Sequence, residues 1–174
     1  MSARPPGPGD GHLVRVHDGF EMEFPDGSGL ATECFLNLGR VAVSMLAELD
    51  RLLDGFGVPS YTSFNALTVI AGADEPIPPS VVAQRMVVTR PTVTGILDTL
   101  ERRGLIIRRA HRSDGRMRLV SLTGTGRDLV RRVLPEVHRF EEELFRDLHR
   151  NQRRALLESL AAIAARLEAG SVEA

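Results

Sequence analysis

Lysine and tryptophan are missing from this chain of 174 residues, which also carries a single cysteine and a single tyrosine. Cys34 standing alone excludes an intramolecular disulfide. Without lysine, all 22 basic residues are arginine. In an alanine-rich chain this reads as the codon bias of a GC-rich genome, so it carries no functional weight. No basic-then-apolar leader and no long apolar run stands out, and a cytoplasmic protein without a membrane partner is expected. Catalytic patterns are missing too. Gly124-Thr125-Gly126 follows a strand pattern and opens a helix, as a phosphate-binding loop would, but Leu129 occupies the place of the third glycine and no parallel βαβ unit surrounds it. No Ser/His/Asp set is arranged for nucleophilic work, and His138 and His149 lie on a charged helix where solvation is the simplest reading. His138 with Glu142, or His12 with His17, offers two scattered ligands, which do not define a metal site. Neither an enzyme nor a cofactor is expected.

What is present is ordinary in amount and unusual in distribution. An apolar content of 43% and a charged content of 26% suit one soluble globular domain. The net charge of −1 is not evenly spread: Ser80 to Arg132 holds twelve arginines against Asp98, Glu101, Asp114 and Asp128, a balance of +8 that leaves −9 for the rest. Such segregation fits a phosphate-facing module on an acidic scaffold.

The centre of that basic stretch, Thr89 to Thr123, reads as a recognition helix followed by a two-stranded wing. Thr89 is a good N-cap, the apolar Val93, Ile96, Leu97 and Leu100 fall on one side at helical spacing, and Gly104 supplies the stop. The opposite face is Pro91, Gly95, Asp98 and Arg102, flanked by Thr92, Thr94 and Thr99. A mid-helix glycine costs up to about 1 kcal/mol relative to alanine. On the solvent side, Gly95 therefore invites an explanation in which another backbone comes close. After Gly104 the period changes to alternation, with Leu105 and Ile107 on one side and Ile106 and Arg108 on the other. Arg118 to Leu122 returns as a second strand, and Asp114-Gly115 is a turn signal between them. Arginines 108, 109, 112, 116 and 118 crowd this hairpin, where guanidinium groups can follow phosphates or enter a narrow minor groove.

The remaining segments frame this module. Met1 to Gly29 is a lead whose tip is expected to be flexible, with a short hairpin about His17-Asp18-Gly19. Leu30 to Leu53 is a long amphipathic helix, Tyr61 to Ala73 a second, and the proline-rich Glu75 to Pro79 resets the chain. Ser80 to Met86 is a short helix joined by Val87-Val88 to Thr89, which is helix-turn-helix spacing. Thr123 caps a helix expected to reach about His149 and to bend ahead of Pro135, and a last helix carries Leu156, Leu157, Leu160, Ile163 and Leu167. These terminal helices show more apolar stripe than one small winged domain can cover, so they are expected to dimerise.

With those residues in place, the chain resembles the MarR family of bacterial winged helix-turn-helix regulators over about Leu30 to Leu167. The resemblance rests on Asp114-x-Arg116 followed by Val120-x-Leu122-Thr123-x-x-Gly126, on Thr92-Val93-Thr94, and on Leu100-Glu101-x-x-Gly104-Leu105-Ile106-x-Arg108. It implies a homodimer that binds a pseudo-palindromic double-stranded DNA operator as a repressor and releases it to a small phenolic or lipophilic effector, or to an oxidant. It also implies that Asp114 orients the wing while Arg116 reaches the minor groove. The long lead and Pro91 early in the recognition helix depart from the family pattern. Cys34-Phe35-Leu36-x-Leu38 is similar to the sensor-cysteine helix of the organic-hydroperoxide branch, with Tyr61 as the candidate activating hydroxyl; a buried structural cysteine is the competing reading.

The expected architecture is α+β and mostly helical. Residues 1–29 form an extension, 30–60 with 124–170 a helical dimerisation region, and 61–123 the winged helix-turn-helix. Thr89, Arg90, Thr92, Thr94 and Gly95 are assigned to the major groove, Arg112, Arg116 and Arg118 to wing contacts, and Arg85 to a phosphate. A winged-helix protein-interaction module without DNA binding is the alternative from a different class.

Overall fold

A computed structural model describes residues 13–110 and 118–170 of the chain. The expected flexible tip, His12, and the wing-tip residues Arg112, Asp114 and Arg116 lie outside them. The fold is mostly helical with one small antiparallel sheet, and it divides into two compact units between Tyr61 and Thr62.

The first unit is built on one long helix. After the short α1 (Phe20–Glu23), α2 runs Gly29–Asp54, with the Ser28 hydroxyl accepting the Ala31 N–H at 3.2 Å as its N-cap. It ends in a Schellman turn: Val58 N–H donates to Leu53 O at 3.0 Å and Gly57 N–H to Asp54 O at 2.8 Å, with Gly57 at φ +74°. The expected hairpin about His17-Asp18-Gly19 does not form. Residues 14–16 find their partners on α2 instead of on a second strand. Asn37 accepts the Val14 N–H (2.8 Å) and donates to Val14 O (2.9 Å), while Glu33 accepts the Val16 N–H (3.0 Å) and pairs with Arg15 (2.8 Å). Phe20 and Phe24 then meet at helical spacing, ring centroids 5.2 Å apart.

One sequence expectation about α2 needs correcting. By length and composition it is long and apolar enough to cross a membrane. One such helix near an N-terminus is weak evidence for a span, because a core helix of a soluble protein or a signal sequence has the same length and composition.

The second unit is the winged helix-turn-helix followed by two long helices. α3 (Tyr61–Ala71) buries Phe64, Leu67 and Ile70; α4 (Pro79–Met86) buries Val82, Ala83 and Met86; α5 (Arg90–Arg102) buries Val93, Leu97 and Leu100. Strands β1 (Ile106–Ala110) and β2 (Arg118–Leu122) pair antiparallel, with Ile106 opposite Leu122 and Ala110 opposite Arg118. The expected alternation after Gly104 holds from Ile106 onward but not at Leu105, since Leu105 and Ile106 are both buried. Leu105 still belongs to the helix end, its N–H donating to Leu100 O at 3.0 Å, so strand alternation begins only at Ile106. The proline-rich connection also does more than reset the chain. Ile77 exchanges both backbone hydrogen bonds with Val120, at 3.1 and 2.8 Å, and so adds a third edge to the hairpin.

α6 (Gly124–Leu144) starts where Thr123 does two jobs. Its hydroxyl accepts the Gly126 N–H (3.0 Å) as N-cap and donates to Gly104 O (2.7 Å), tying the start of α6 to the end of α5. Pro135 sits inside α6 without ending it. The helix stops at Leu144 rather than near His149, because Arg153 of α7 (Arg150–Gly170) claims the turn. Its guanidinium donates to Phe145 O (2.8 Å) and Leu148 O (3.0 Å) and pairs with Glu142 (3.1 Å), which satisfies carbonyls that a longer helix would have bonded.

Two predictions follow from this packing. A Cβ on Gly126 would overlap the Leu105 carbonyl oxygen, so Gly126→Ala is expected to destabilise the domain by about 1–3 kcal/mol in denaturant unfolding, although helix propensity alone favours alanine. A stabilised variant would refute the close approach. In the first unit, the Arg15 guanidinium and then the Val16 N–H hold the Glu33 carboxyl below the usual glutamate range. The folded value is the depressed one, so the strap is secured above the unfolded value and loosens as pH falls through the folded value. The Val16 amide proton shift should titrate with a midpoint below that of a free glutamate, and a midpoint at or above it would remove the clamp.

Candidate nucleic-acid interface

The turn between α4 and α5 sets the angle at which the second helix is presented. It closes as a Schellman motif, with Val87 N–H donating to Gln84 O (3.2 Å) and Val88 N–H to Ala83 O (3.1 Å). This motif needs a left-handed residue at its corner, and here that residue is Val87 at φ +55°. A left-handed L-residue costs roughly 1–2 kcal/mol, and branching at Cβ adds crowding. Packing returns nothing, since the Val87 side is 88% exposed.

Thr89 is the N-cap of α5 as the sequence implied, its hydroxyl accepting the Thr92 N–H at 3.4 Å and lying 2.8 Å from the Thr92 hydroxyl. Arg90, Thr92, Thr94 and Gly95 are all exposed on the first turns, as is Arg85 at the end of α4. The Thr94 hydroxyl donates back to Arg90 O at 3.0 Å, which leaves its oxygen lone pairs facing out. Nothing lies within 4 Å of a Cβ built on Gly95, so the open side of this helix is open at that residue. Ile96, assigned to the core, is only partly buried.

The wing corrects the reading of one arginine and one aspartate. Arg108 was grouped with the phosphate-facing guanidiniums and Asp98 with the outer face of the helix. Instead Arg108 turns inward from β1, meeting Asp98 at 2.5 Å, Glu101 at 3.3 Å and the Thr94 carbonyl at 3.4 Å, while Glu101 also accepts the Arg108 N–H at 3.1 Å. The strand therefore covers that flank of α5. Both acids of the helix are engaged by one guanidinium, which offsets one of their two negative charges. Spacing alone could not show this, because the partners are ten and seven residues apart across a helix end. Arg109 and Arg118 remain exposed on the hairpin.

The candidate sensor residues are not brought together. Cys34 is exposed in the single chain. The Tyr61 N–H donates to Asp50 Oδ1 at 2.5 Å. At 1.5 Å per residue, Asp50 lies about 24 Å along α2 from Cys34, beyond the reach of a tyrosine side chain. Within one chain the Tyr61 hydroxyl does not activate this thiol. As for metals, no group of three or more His, Cys, Asp or Glu side chains gathers among the described residues.

A short helix, a tight turn, an exposed second helix and a hairpin packed on its flank define a winged helix-turn-helix protein. Residues 59–117 match a family model described as MarR family. The chain is 34% identical over 104 residues to the HTH-type transcriptional repressor YetL of Bacillus subtilis (strain 168), covering 59% of this chain and 62% of that protein. Among solved structures it is similar to the transcriptional repressor CouR bound to a 23-mer DNA duplex, at 27% identity and TM-score 0.68, over 86% of this chain and 99% of that one. It is also similar to CouR from Rhodococcus jostii RHA1 bound to p-coumaroyl-CoA, at 25% identity and TM-score 0.68, over 79% and 96%. Over residues 59–117 the chain is thus similar to the MarR family. Its match to the curated relative spans somewhat less than two thirds of that protein's length.

The Arg108 clamp generates a prediction of its own. Arg108→Ala should cost about 1–2 kcal/mol of stability, a figure held down by the partial exposure of its partners. Denaturant unfolding of the variant checks this; an unchanged midpoint would mean the clamp contributes nothing in solution.

Proposed function

We propose that the protein is a sequence-specific DNA-binding transcriptional regulator, acting in the cytoplasm as a homodimer on a pseudo-palindromic operator, and that it is an effector-responsive repressor. The observation that carries this reading is the exposed, small and polar start of α5, open at Gly95, beside a hairpin bearing exposed arginines. On it, Thr89, Arg90, Thr92, Thr94 and Gly95 enter the major groove and Arg85 holds a phosphate. Arg118, with Arg112 and Arg116 beyond the described residues, reaches the flanking groove, and Asp114 orients the wing. The likeness to a repressor bound to duplex DNA supports the same reading.

Apolar faces on two helices favour the homodimer. On α2, Leu30, Phe35 and Val43 are 70–78% exposed, and on α7 Leu156, Leu157, Leu160 and Ile163 are exposed with no residue of the helix buried. Faces of that kind would stay wet in a monomer. A second copy covering them makes residues 30–60 and 124–170 the dimerisation region, with 61–123 as the DNA-binding part. For an effector, a cavity of about 430 Å³ lies beside the wing, with Ile70, Leu122, Val130 and Leu134 as apolar wall and Arg127 and Arg131 at its rim. Its size suits a small aromatic acid, in keeping with the phenolic or lipophilic effector the family resemblance implies.

The test is a salt-titrated binding assay on duplexes selected from a random pool, run with wild type and Gly95→Leu. Wild-type affinity should fall steeply with salt as counterions are released. Gly95→Leu should abolish specific binding while leaving the unfolding midpoint unchanged or raised, since the helix gains about 1 kcal/mol of propensity and the side chain meets no neighbour. Salt-independent binding of the wild type would favour a protein-interaction module; wild-type affinity in the variant would remove α5 from the groove.

A further inference from the structure

Among the described residues three helices end in the same Schellman geometry, and they do not end on the same residue type. α2 and α5 place Gly57 (φ +74°) and Gly104 (φ +67°) at the left-handed corner, whereas α4 places Val87 there (φ +55°). The backbone demand is identical in all three, and glycine meets it without strain. Valine is among the residues least suited to that region. Burial does not explain the choice, because Val87 is 88% exposed and is the most exposed large apolar residue of the described chain. A strained residue with no internal contact to stabilise it is a candidate for an external one.

Its position says what kind of contact. Val87 lies two residues before the N-cap Thr89, between the exposed Arg85 and Arg90, so it is an apolar spot on an otherwise polar and basic surface next to the helix start. The one apolar group that a base edge offers in the major groove is the C5-methyl of thymine. We propose that Val87 is a specificity-determining residue, its isopropyl group seated against a thymine methyl beside the bases that the start of α5 reads. The proposal rests on the DNA-binding reading above and adds a contact to it. The left-handed backbone throws this side chain outward from the turn, and a glycine or asparagine would hold the same turn while offering no methyl groups.

The experiment uses the full chain and a duplex selected by the wild type from a random pool. Each thymine of the selected half-site is replaced in turn by deoxyuridine, which lacks only the methyl, and affinities are measured for wild type, Val87→Gly and Val87→Asn. Both variants should raise the unfolding midpoint, which shows that the turn survives. Each should bind the all-thymine duplex about three- to tenfold more weakly. At one position uracil should weaken the wild type by a similar factor and leave the variants unaffected, the coupling expected of two groups in contact. Equal affinity of wild type and variants for the thymine duplex would overturn the proposal. So would a loss in the variants that is the same on thymine and uracil at every position, since that pattern belongs to a sugar contact or to altered turn geometry. A wild type that selects no sequence from the pool would instead reject the DNA-binding reading itself.

Discussion

The geometry of the candidate interface depends on one guanidinium. Arg108 leaves the first strand of the hairpin and reaches back to Asp98, Glu101 and the Thr94 carbonyl, so the recognition helix and the wing are held as one surface. The two elements are thereby fixed at a set angle to each other. A partly buried arginine supplies that angle because its planar fork can address several acceptors at once, which a single-point ammonium cannot. The same contact engages both acids on the helix and offsets one of their two negative charges, while Arg90, Arg109 and Arg118 stay exposed.

Backbone closures extend this rigidity to the elements on either side. Thr123 caps α6 while donating to the last carbonyl of the α5 turn, and Gly126 lets the new helix lie directly against Leu105 O. Ile77 adds its two hydrogen bonds to Val120, so the segment before α4 is part of the sheet that carries the wing. Glu75 and Pro76, which line the neighbouring cavity, directly precede that strand partner of Val120.

The long helices follow a different logic. α2 is capped at both ends and strapped by residues 14–16, yet much of its apolar side faces outward, and α7 buries nothing. Helices that are well formed but poorly covered owe their stability to something outside the isolated chain. In the dimer proposed above, a second copy covers these faces.

How much of this was legible beforehand depended on whether the determining interaction was local. Thr89, Gly104, Thr123 and the apolar positions of α5 could be read directly, because caps, stops and helical periodicity act within a few residues. The excess of arginine between Ser80 and Arg132 likewise needed only counting. Tertiary structure decided what lay between distant residues. It turned Arg108 inward, drew Ile77 out of a proline-rich loop onto β2, gave Glu33 and Asn37 to residues 14–16 in place of a hairpin, let Arg153 end α6 early, and kept Cys34 far from Tyr61. It also placed a valine in a conformation that nothing in its neighbourhood of sequence announces. Side-chain partners across a turn, and the backbone angle a turn imposes, are consequences of packing the whole unit, whereas the caps and stripes that start and stop its helices belong to the chain alone.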